Sequence, residues 1–542
     1  MARHSTGLRT SYSAMLGISP STLLRTSPST LRPRPSTSLR TSSGQALLRA
    51  INQKPGFWRS TSQWYWFPVL LVGHSGFSCR KNRVSFFVFC LILLLALSLA
   101  GCGPMPTTSL TPLPLQPTAT LTPTVAPTPV DSWPQDLSQL DRVAAFDELV
   151  RLVSEYYPYT CLGYKDIDIQ ASGDELRAEL VADPSAETFE RVVRDFMAVL
   201  QDGHASLAWT PAAAERYTMP PLFQVAEVEG KAIVSQVMDP ALEEVGLAAG
   251  VEIIAVDGLP VGEALERVPP FLTACGTEYC RTWRSYHFLL SGEALSTVDI
   301  TFIDLEGAER QITAQRASGL EALIRTSRRS ASARRLEDDV GYIYLPHFHN
   351  DNPPPDAFFE SRLGEMRDLP FLVIDVRGNG GGSELYSQAV NSLLFDQRVE
   401  YGRYESRIPE EQMDFFVEPG PWYYQGQVYI LIDGGCFSTC ADFLQPHWQT
   451  GRSILIGRTA QRGGGNPSRG TVKLPDGLEA RFPLSLFLDL DGDERELIEP
   501  NIYVALGIED IRQGVDRDLE TALELIAEQR QEVSTQMEYG AE

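Results

Sequence analysis

Phe371-Leu372-Val373-Ile374-Asp375-Val376-Arg377-Gly378-Asn379-Gly380-Gly381-Gly382-Ser383 is the stretch from which the fold can be read. Its first six residues are almost wholly apolar, which suits a strand buried on both faces of a parallel sheet. Four glycines then fall in the five positions 378–382. Lacking Cβ atoms, such a loop can turn its N–H groups into a cavity that binds phosphate or an oxyanion. No GxxxxGK[ST] is present, so this is not a Walker loop. No early βαβ unit surrounds it, as a dinucleotide fingerprint requires. A tight packing turn is the bland alternative.

The strand–glycine pattern recurs at 428–440, VYILIDGGCFSTC, and there it opens a helix. Ser438 falls at or near that helix N-terminus, where its hydroxyl is exposed and the Thr439 N–H faces any developing negative charge. A Ser N-cap is the plainer reading of the same residue. GYIYLPHF (341–348) and SILIG (453–457) are further strands, with helix-like segments between. Residues 331–542 are therefore expected to be an α/β domain with a largely parallel sheet. LEARFPLSLFLDLDG (478–492) adds antiparallel strands, and residues 516–533 a closing acidic helix.

Upstream the pattern changes twice. Phe146, Leu149, Val150, Val153 and Tyr157 recur at helical spacing, as do Phe189, Val192, Val193, Phe196, Met197 and Leu200. Residues 131–215 thus read as a helical lobe, with Gly203 placed to stop the second helix as a C′ glycine. Residues 216–330 carry short β-type runs, FQVAEV, AIVSQV and EIIAVDG.

Charge separates this body from what precedes it. The 542 residues carry 46 Lys+Arg and 70 Asp+Glu, a formal charge of −24. Residues 1–130 hold twelve basic residues and no acidic one, whereas the 412 residues from Asp131 carry 34 basic and 70 acidic groups, a net −36. An acidic body excludes nonspecific nucleic-acid binding, which needs phosphate-neutralising side chains. Residues 1–60 are rich in Ser, Thr, Arg and Pro and repeat Leu8-Arg9-Thr10-Ser11 at 24–27 and 39–42. Disorder, or a mistaken gene start, is expected there.

Arg80-Lys81-Asn82-Arg83 followed by apolar Val84–Leu99 and small residues has the form of a secretory signal. Its apolar run is short for a spanning helix of about 20 residues. Leu99-Ala100-Gly101-Cys102 resembles a bacterial lipoprotein lipobox. That resemblance implies cleavage before Cys102, lipidation of its sulfur, and a place on the extracytoplasmic face of the bacterial cell envelope. An uncleaved signal anchor is the alternative. Pro or Thr fills 16 of the 28 positions 103–130, so residues 102–130 read as a lipid-anchored tether. Export permits disulfides, and the close pairs are Cys275/Cys280 and Cys436/Cys440, with Cys161 left over. A zinc site would need a matching second set with His, which the spacing lacks. His347 and His349 alternate along one strand face without a third ligand. No metal and no cofactor is expected.

FLVIDVRGNGGGS, ILIDGGCFSTCADF and ILIGRTAQRGGGNP, in that order, resemble the tail-specific serine protease family. That family joins C-terminal processing peptidases with the tricorn core peptidase and the repeats of interphotoreceptor retinoid-binding protein. The resemblance spans roughly residues 140–510. It implies a crotonase-like catalytic domain with Ser438 as nucleophile, and an oxyanion hole from the Gly380/Gly381 loop and the Thr439 amide. Which glycine donates stays open. The processing branch pairs Ser with a Lys in a stretch like GKTFGKG. Here that stretch is GRTAQRGG (457–464), and Arg458 and Arg462 cannot act as bases near neutrality. The tricorn-like branch uses a His from an LxDGHxxL stretch, matched by Leu200–Leu207, so His204 is the implied base. Its Glu belongs to E-x-x-G-[IV]-x-P. Register on Pro500 selects Glu494, with Leu497 in place of the Gly and Glu496 as the alternative. Family members carry Glu three residues after Ser, where this chain has Ala441 and then Asp442. Gly246–Gly258 resembles the end of a PDZ domain, with Ala249-Gly250-Val251 for the usual Pro-Gly-Asp. A PDZ-like module would take an extended peptide at a sheet edge or serve only as packing.

Three functions compete at this level. The first is an exported, membrane-tethered serine peptidase acting on peptide or protein substrates. The second is a catalytically weak module of the same fold that binds an apolar ligand or peptide. The third is an acyl-CoA enzyme of crotonase type, which an acidic body disfavours because the cofactor is anionic.

Overall fold

The structure, a computed structural model, describes residues 133–319, 330–337, 339–466 and 469–539. The leader, the signal sequence, Cys102 and the tether lie outside the described residues. Those that are described belong to the unit Thr122–Glu542. No helix among them is long and apolar enough to cross a membrane.

Phe371–Asp375 is the strand expected of its apolar run, and all five residues are buried. It lies inside a six-stranded sheet with the order Ile502–Tyr503, Ser453–Gly457, Gln427–Ile432, Phe371–Asp375, Val340–Tyr344 and Ser332–Glu337. The first five strands pair in parallel and the last antiparallel. Alternate residues of a strand face opposite sides, and both sides are covered. Leu372 and Ile374 pack with Val428 and Ile430 against Phe359, Val390, Phe443 and Leu444, which lie on three covering helices. Val373, Tyr429 and Leu431 face Ala522, Leu525 and Ile526 of the closing helix Arg517–Tyr539. Burial on both faces is why the run shows no polar alternation. The strand at Val340–Tyr344 ends before His347 and His349, so these two stand on the loop beyond it rather than on a sheet face.

The early helices are Arg142–Tyr156, Ile169–Ala182 and Ala186–Val199, each started by a side-chain cap from Asp141, Asp168 or Ser185. Their apolar faces do not close on themselves. The same core takes in Val472, Leu474, Ala480, Phe482, Leu484 and Leu486 from late in the chain. A four-stranded sheet ties the two together, in the order Gln135–Asp136, Thr471–Lys473, Glu479–Arg481 and Ser206–Leu207.

Gly203 is not the residue that stops the third helix. Gln201 takes the left-handed conformation there, with φ 46°. Gly203 is glycine for another reason: a Cβ would lie 2.7 Å from the Gly463 carbonyl oxygen and 2.8 Å from the Phe437 ring.

Between these parts a six-stranded antiparallel sheet runs Phe223–Val228, Lys231–Val237, Glu252–Val256, Thr297–Ile303 and Glu309–Gln315, with Leu259–Pro260 paired to Glu252–Val256 off that path. It has its own core around Val234, Val251, Ile253, Ile300 and Phe302. Helix Glu278–Phe288 from this region reaches the glycine loops. A Cβ on Gly434 would meet the Trp283 ring at 2.7 Å and the Tyr279 hydroxyl at 2.9 Å. The molecule is thus a mixed α/β protein with several sheets.

Candidate active site

Adjacent parallel strands bring the two glycine loops side by side. Asp433 Oδ1 ties them, accepting from Gly378 N at 2.8 Å and Gly435 N at 3.0 Å. Phe437 N donates to the Asn379 carbonyl at 2.9 Å. Asn379 is fully buried, and its amide braces its own loop. Nδ2 donates to Leu345 O at 3.0 Å, and Oδ1 accepts from Gly381 N at 2.9 Å. Gly381 sits at φ +91°, where a Cβ would lie 2.7 Å from Phe437 O and 2.9 Å from Thr439 N. Backbone contact that close needs glycine. The Gly381 amide is thereby used, whereas those of Gly380 and Thr439 make no hydrogen bond among the described residues. Thr439 is held instead through Oγ1, which donates to Gly382 O at 2.9 Å.

Ser438 joins strand Gln427–Ile432 to helix Thr439–Thr450 at φ 58° and ψ −127°. Positive φ is strained for a residue with a Cβ, and such strain gathers at reacting groups. The strand–turn–helix corner has the form of a nucleophile elbow. Ser438 does not cap the helix with its side chain. Its Oγ lies 2.9 Å from His204 Nε2, a contact spanning 234 residues of sequence.

His204 is fixed through its backbone. Fully buried Asp202 accepts from His204 N at 2.9 Å and from the Tyr157 hydroxyl at 3.0 Å. Gly203 N donates to Gly463 O at 2.7 Å. Burial lowers the His204 pKa from 6.5 to about 4, against the opposing charge of Glu496. The imidazole is therefore neutral at ordinary pH and can accept a proton from Ser438.

Two glutamates stand behind the ring. Register on Pro500 selects Glu494, but the carboxylate whose charge acts on His204 is Glu496. Glu496 Oε1 accepts from the Tyr159 hydroxyl at 2.7 Å. Arg462 N donates to the Glu496 carbonyl at 2.7 Å, which pins this residue beside the loop that follows Ser438. Burial first, and Glu496 second, raise the pKa of Glu494. Residues two apart on extended chain share a side, and the spacing alone does not choose between them. Neither carboxylate hydrogen-bonds the imidazole. Besides Ser438, the ring is met by the Gly464 backbone, whose hydrogen bond favours the imidazolium.

The arginines that replace the processing branch's Lys are structural. Arg458 pairs with Asp518 at 2.7 Å. Arg462 is buried, ion-paired with Asp442, bonded to Gln445 at 3.2 Å and stacked 3.7 Å over the Phe487 ring. Cys275 and Cys280 form a disulfide with Cα atoms 5.8 Å apart. The other expected pair does not bridge: Cys436 and Cys440 are free, buried thiols. Cys436 Sγ is turned to the neighbouring strand and donates to Val376 O at 2.9 Å. Burial, with Cys440 beside it, pushes its pKa well up.

A cleft of about 540 Å³ opens over Ser438 and His204, lined also by Glu384, Leu385, Met413 and the Asp442–Arg462 pair. No lysine lines it among the described residues. Asp433, Asn379, Asp202 and Tyr159 are the positioning residues that the motif reading passed over. Asp202, Asn379 and Asp433 lie within the contiguous motifs, beside the His and Gly whose chemistry is the more evident. Tyr159 carries no local signal, because its partner is 337 residues away.

A serine beside a neutral histidine, two amides without a hydrogen bond among the described residues, and a cleft over them suit a serine peptidase. Residues 339–504 match the model of peptidase family S41. Among solved structures, mature CPAF complexed with lactacystin is similar, at 17% identity and a TM-score of 0.57, covering 71% of this chain and 98% of that one. Mature CPAF alone gives 18% identity and 0.56, covering 69% and 94%. Likeness at that identity establishes the fold. No curated protein matches the chain in sequence.

Proposed function

We propose that this protein is an exported, membrane-tethered endopeptidase using Ser438 as nucleophile and His204 as general base. The 2.9 Å approach of His204 Nε2 to Ser438 Oγ carries the reading. Ser438 Oγ attacks the peptide carbonyl carbon as its proton passes to Nε2. The N–H groups of Gly380 and Thr439 stabilise the oxyanion, the Gly381 amide being occupied. His204 then protonates the leaving amine, and water releases the acyl-enzyme through the same relay. Of the glutamate pair, Glu496 stabilises the imidazolium by charge, with Glu494 as its neighbour. Ser438→Ala should abolish cleavage of unstructured peptides while leaving the melting temperature unchanged. Cleavage that survives the substitution would refute the assignment.

The finer architecture belongs to the same proposal. We read residues 331–542 as crotonase-like, which the parallel sheet with glycine loops at its strand ends supports. Residues 216–330 are read as PDZ-like on the strength of their separate antiparallel sheet. Residues 131–215 are the helical lobe, and Cys102 is the lipid attachment to the extracytoplasmic membrane face. Labelling with a radioactive fatty acid that is lost on Cys102→Ala checks the anchor.

One observation favours a weaker enzyme: neither Glu494 nor Glu496 hydrogen-bonds the His204 imidazole. A module that binds peptide or apolar ligand would show saturable binding and no labelling of Ser438 by a phosphonate.

A further inference from the structure

The cleft over Ser438 has an uneven charge. Three ionised side chains line it: Glu384, Asp442 and Arg462. Asp442 and Arg462 are buried and paired with each other, so their charges cancel locally. Glu384 has no cationic side chain bonded to it. Burial raises its pKa, while the Tyr404 hydroxyl, donating to Oε1 at 2.8 Å, and the field of the committed Arg462 favour its ionised form. When ionised, Glu384 therefore gives the cleft one negative charge with no cation bonded to it, partly withdrawn from water.

The rest of the lining sets the shape of what would meet that charge. Leu385 is 76% exposed and Met413 48%, two large apolar side chains on the wall of the same cavity. An apolar wall beside one carboxylate fits a side chain with a hydrocarbon stem and a cationic tip. The net charge of −36 on residues 131–542 also raises the local concentration of basic partners. A free substrate carboxylate finds no unpaired cation in this lining.

We propose that Glu384 is a specificity-determining residue and that the cleft takes a lysine or arginine side chain at a residue flanking the scissile bond. This rests on the peptidase reading of the site. The ammonium or guanidinium donates a charge-assisted hydrogen bond to Glu384, while the stem lies along Leu385 and Met413. Selectivity then comes from a desolvated charge that rejects acidic side chains at the same place.

Internally quenched peptides test this, with Lys or its uncharged analogue norleucine at each residue flanking the bond. At one of the two positions Lys should raise kcat/KM by about tenfold, the order of a partly buried charged hydrogen bond. Glu384→Gln keeps an acceptor for Tyr404 and should bring that ratio to about one. Glu384→Lys should favour a Glu-bearing peptide instead. Equal cleavage of Lys and norleucine peptides at both positions, or a Lys preference that survives Glu384→Gln, overturns the proposal. The same peptides are ranked by anisotropy on Ser438→Ala, which separates the two readings. A Glu384-dependent Lys preference in binding without cleavage by the unsubstituted protein removes the peptidase reading and leaves this one standing. Loss of the preference in binding, with Ser438-dependent cleavage intact, does the reverse.

Discussion

Ser438 is held at φ 58° between two glycine loops, and its freedom to react depends on residues with no chemistry of their own. Gly381→Ala would drive a methyl into Phe437 O and the Thr439 amide at a φ of +91°. Strain there costs about 1–3 kcal/mol, and displacement of the Thr439 N–H should lower kcat at least about a hundredfold. Thermal melting and steady-state kinetics separate the two effects. His204 leads to a pH prediction. Burial disfavours its cation, so the base survives as pH falls through 6.5 and is lost only near 4. The acid limb of kcat/KM should have its midpoint near pH 4 rather than 6.5. His447 is buried between Asn391 Oδ1 at 2.9 Å and Ser453 Oγ at 2.8 Å, and its pKa falls to about 3. For both groups the folded pKa lies below the unfolded one, so the stability they confer is full above pH 6.5. It declines as pH drops from there toward 4 and 3. Urea titrations across that range should show a falling midpoint.

Short elements carry the second layer of positioning. The turn of helix Pro158–Cys161 sends the Tyr159 hydroxyl to Glu496, while neighbouring Tyr157 reaches Asp202. Tyr159→Phe removes one hydrogen bond to a carboxylate, worth about 1.5–3 kcal/mol. The expected result is a kcat lowered about tenfold with KM little changed, since the tyrosine is absent from the cleft lining. A change confined to melting temperature would mean that the bond serves folding alone. On the opposite side, the loop closed by Cys275–Cys280 places Gly276 so that a Cβ would lie 3.3 Å from the Glu496 carboxyl carbon. Replacing both cysteines by serine should lower stability by about 2 kcal/mol, the value for so short a loop, as read by denaturant titration. The strand and helix identities of these regions were legible because hydrophobic period is local. Ser438, His204 and the glycine run were legible because each sits in a contiguous motif. The choice between Glu494 and Glu496 was not, since adjacent alternate positions of extended chain are equivalent by spacing alone. The two cysteine pairs, both close in sequence, differ: Cys275 and Cys280 bridge, whereas Cys436 stays a thiol and donates to Val376 O.

At the scale of the whole molecule, the early helices depend on strands that come some 270 residues later, through Val472, Ala480 and Phe482. That dependence was invisible in sequence, because helical spacing reveals an apolar face but not its cover. Residues 133–215 produced alone should remain unfolded by circular dichroism and proton NMR, and should fold when the segment 469–490 is supplied by a fused linker. The same crossing bears on when the enzyme first becomes dangerous. His204 is synthesised early, Ser438 more than two hundred residues later, and Glu496 and the strands that cover His204's own helices later still. In the proposed mechanism, a nascent chain that has emerged through Ser438 holds the nucleophile before the strands that cover the helices leading to His204 exist. On the proposed mechanism, activity cannot precede the last of these elements, so it arises only as synthesis nears its end.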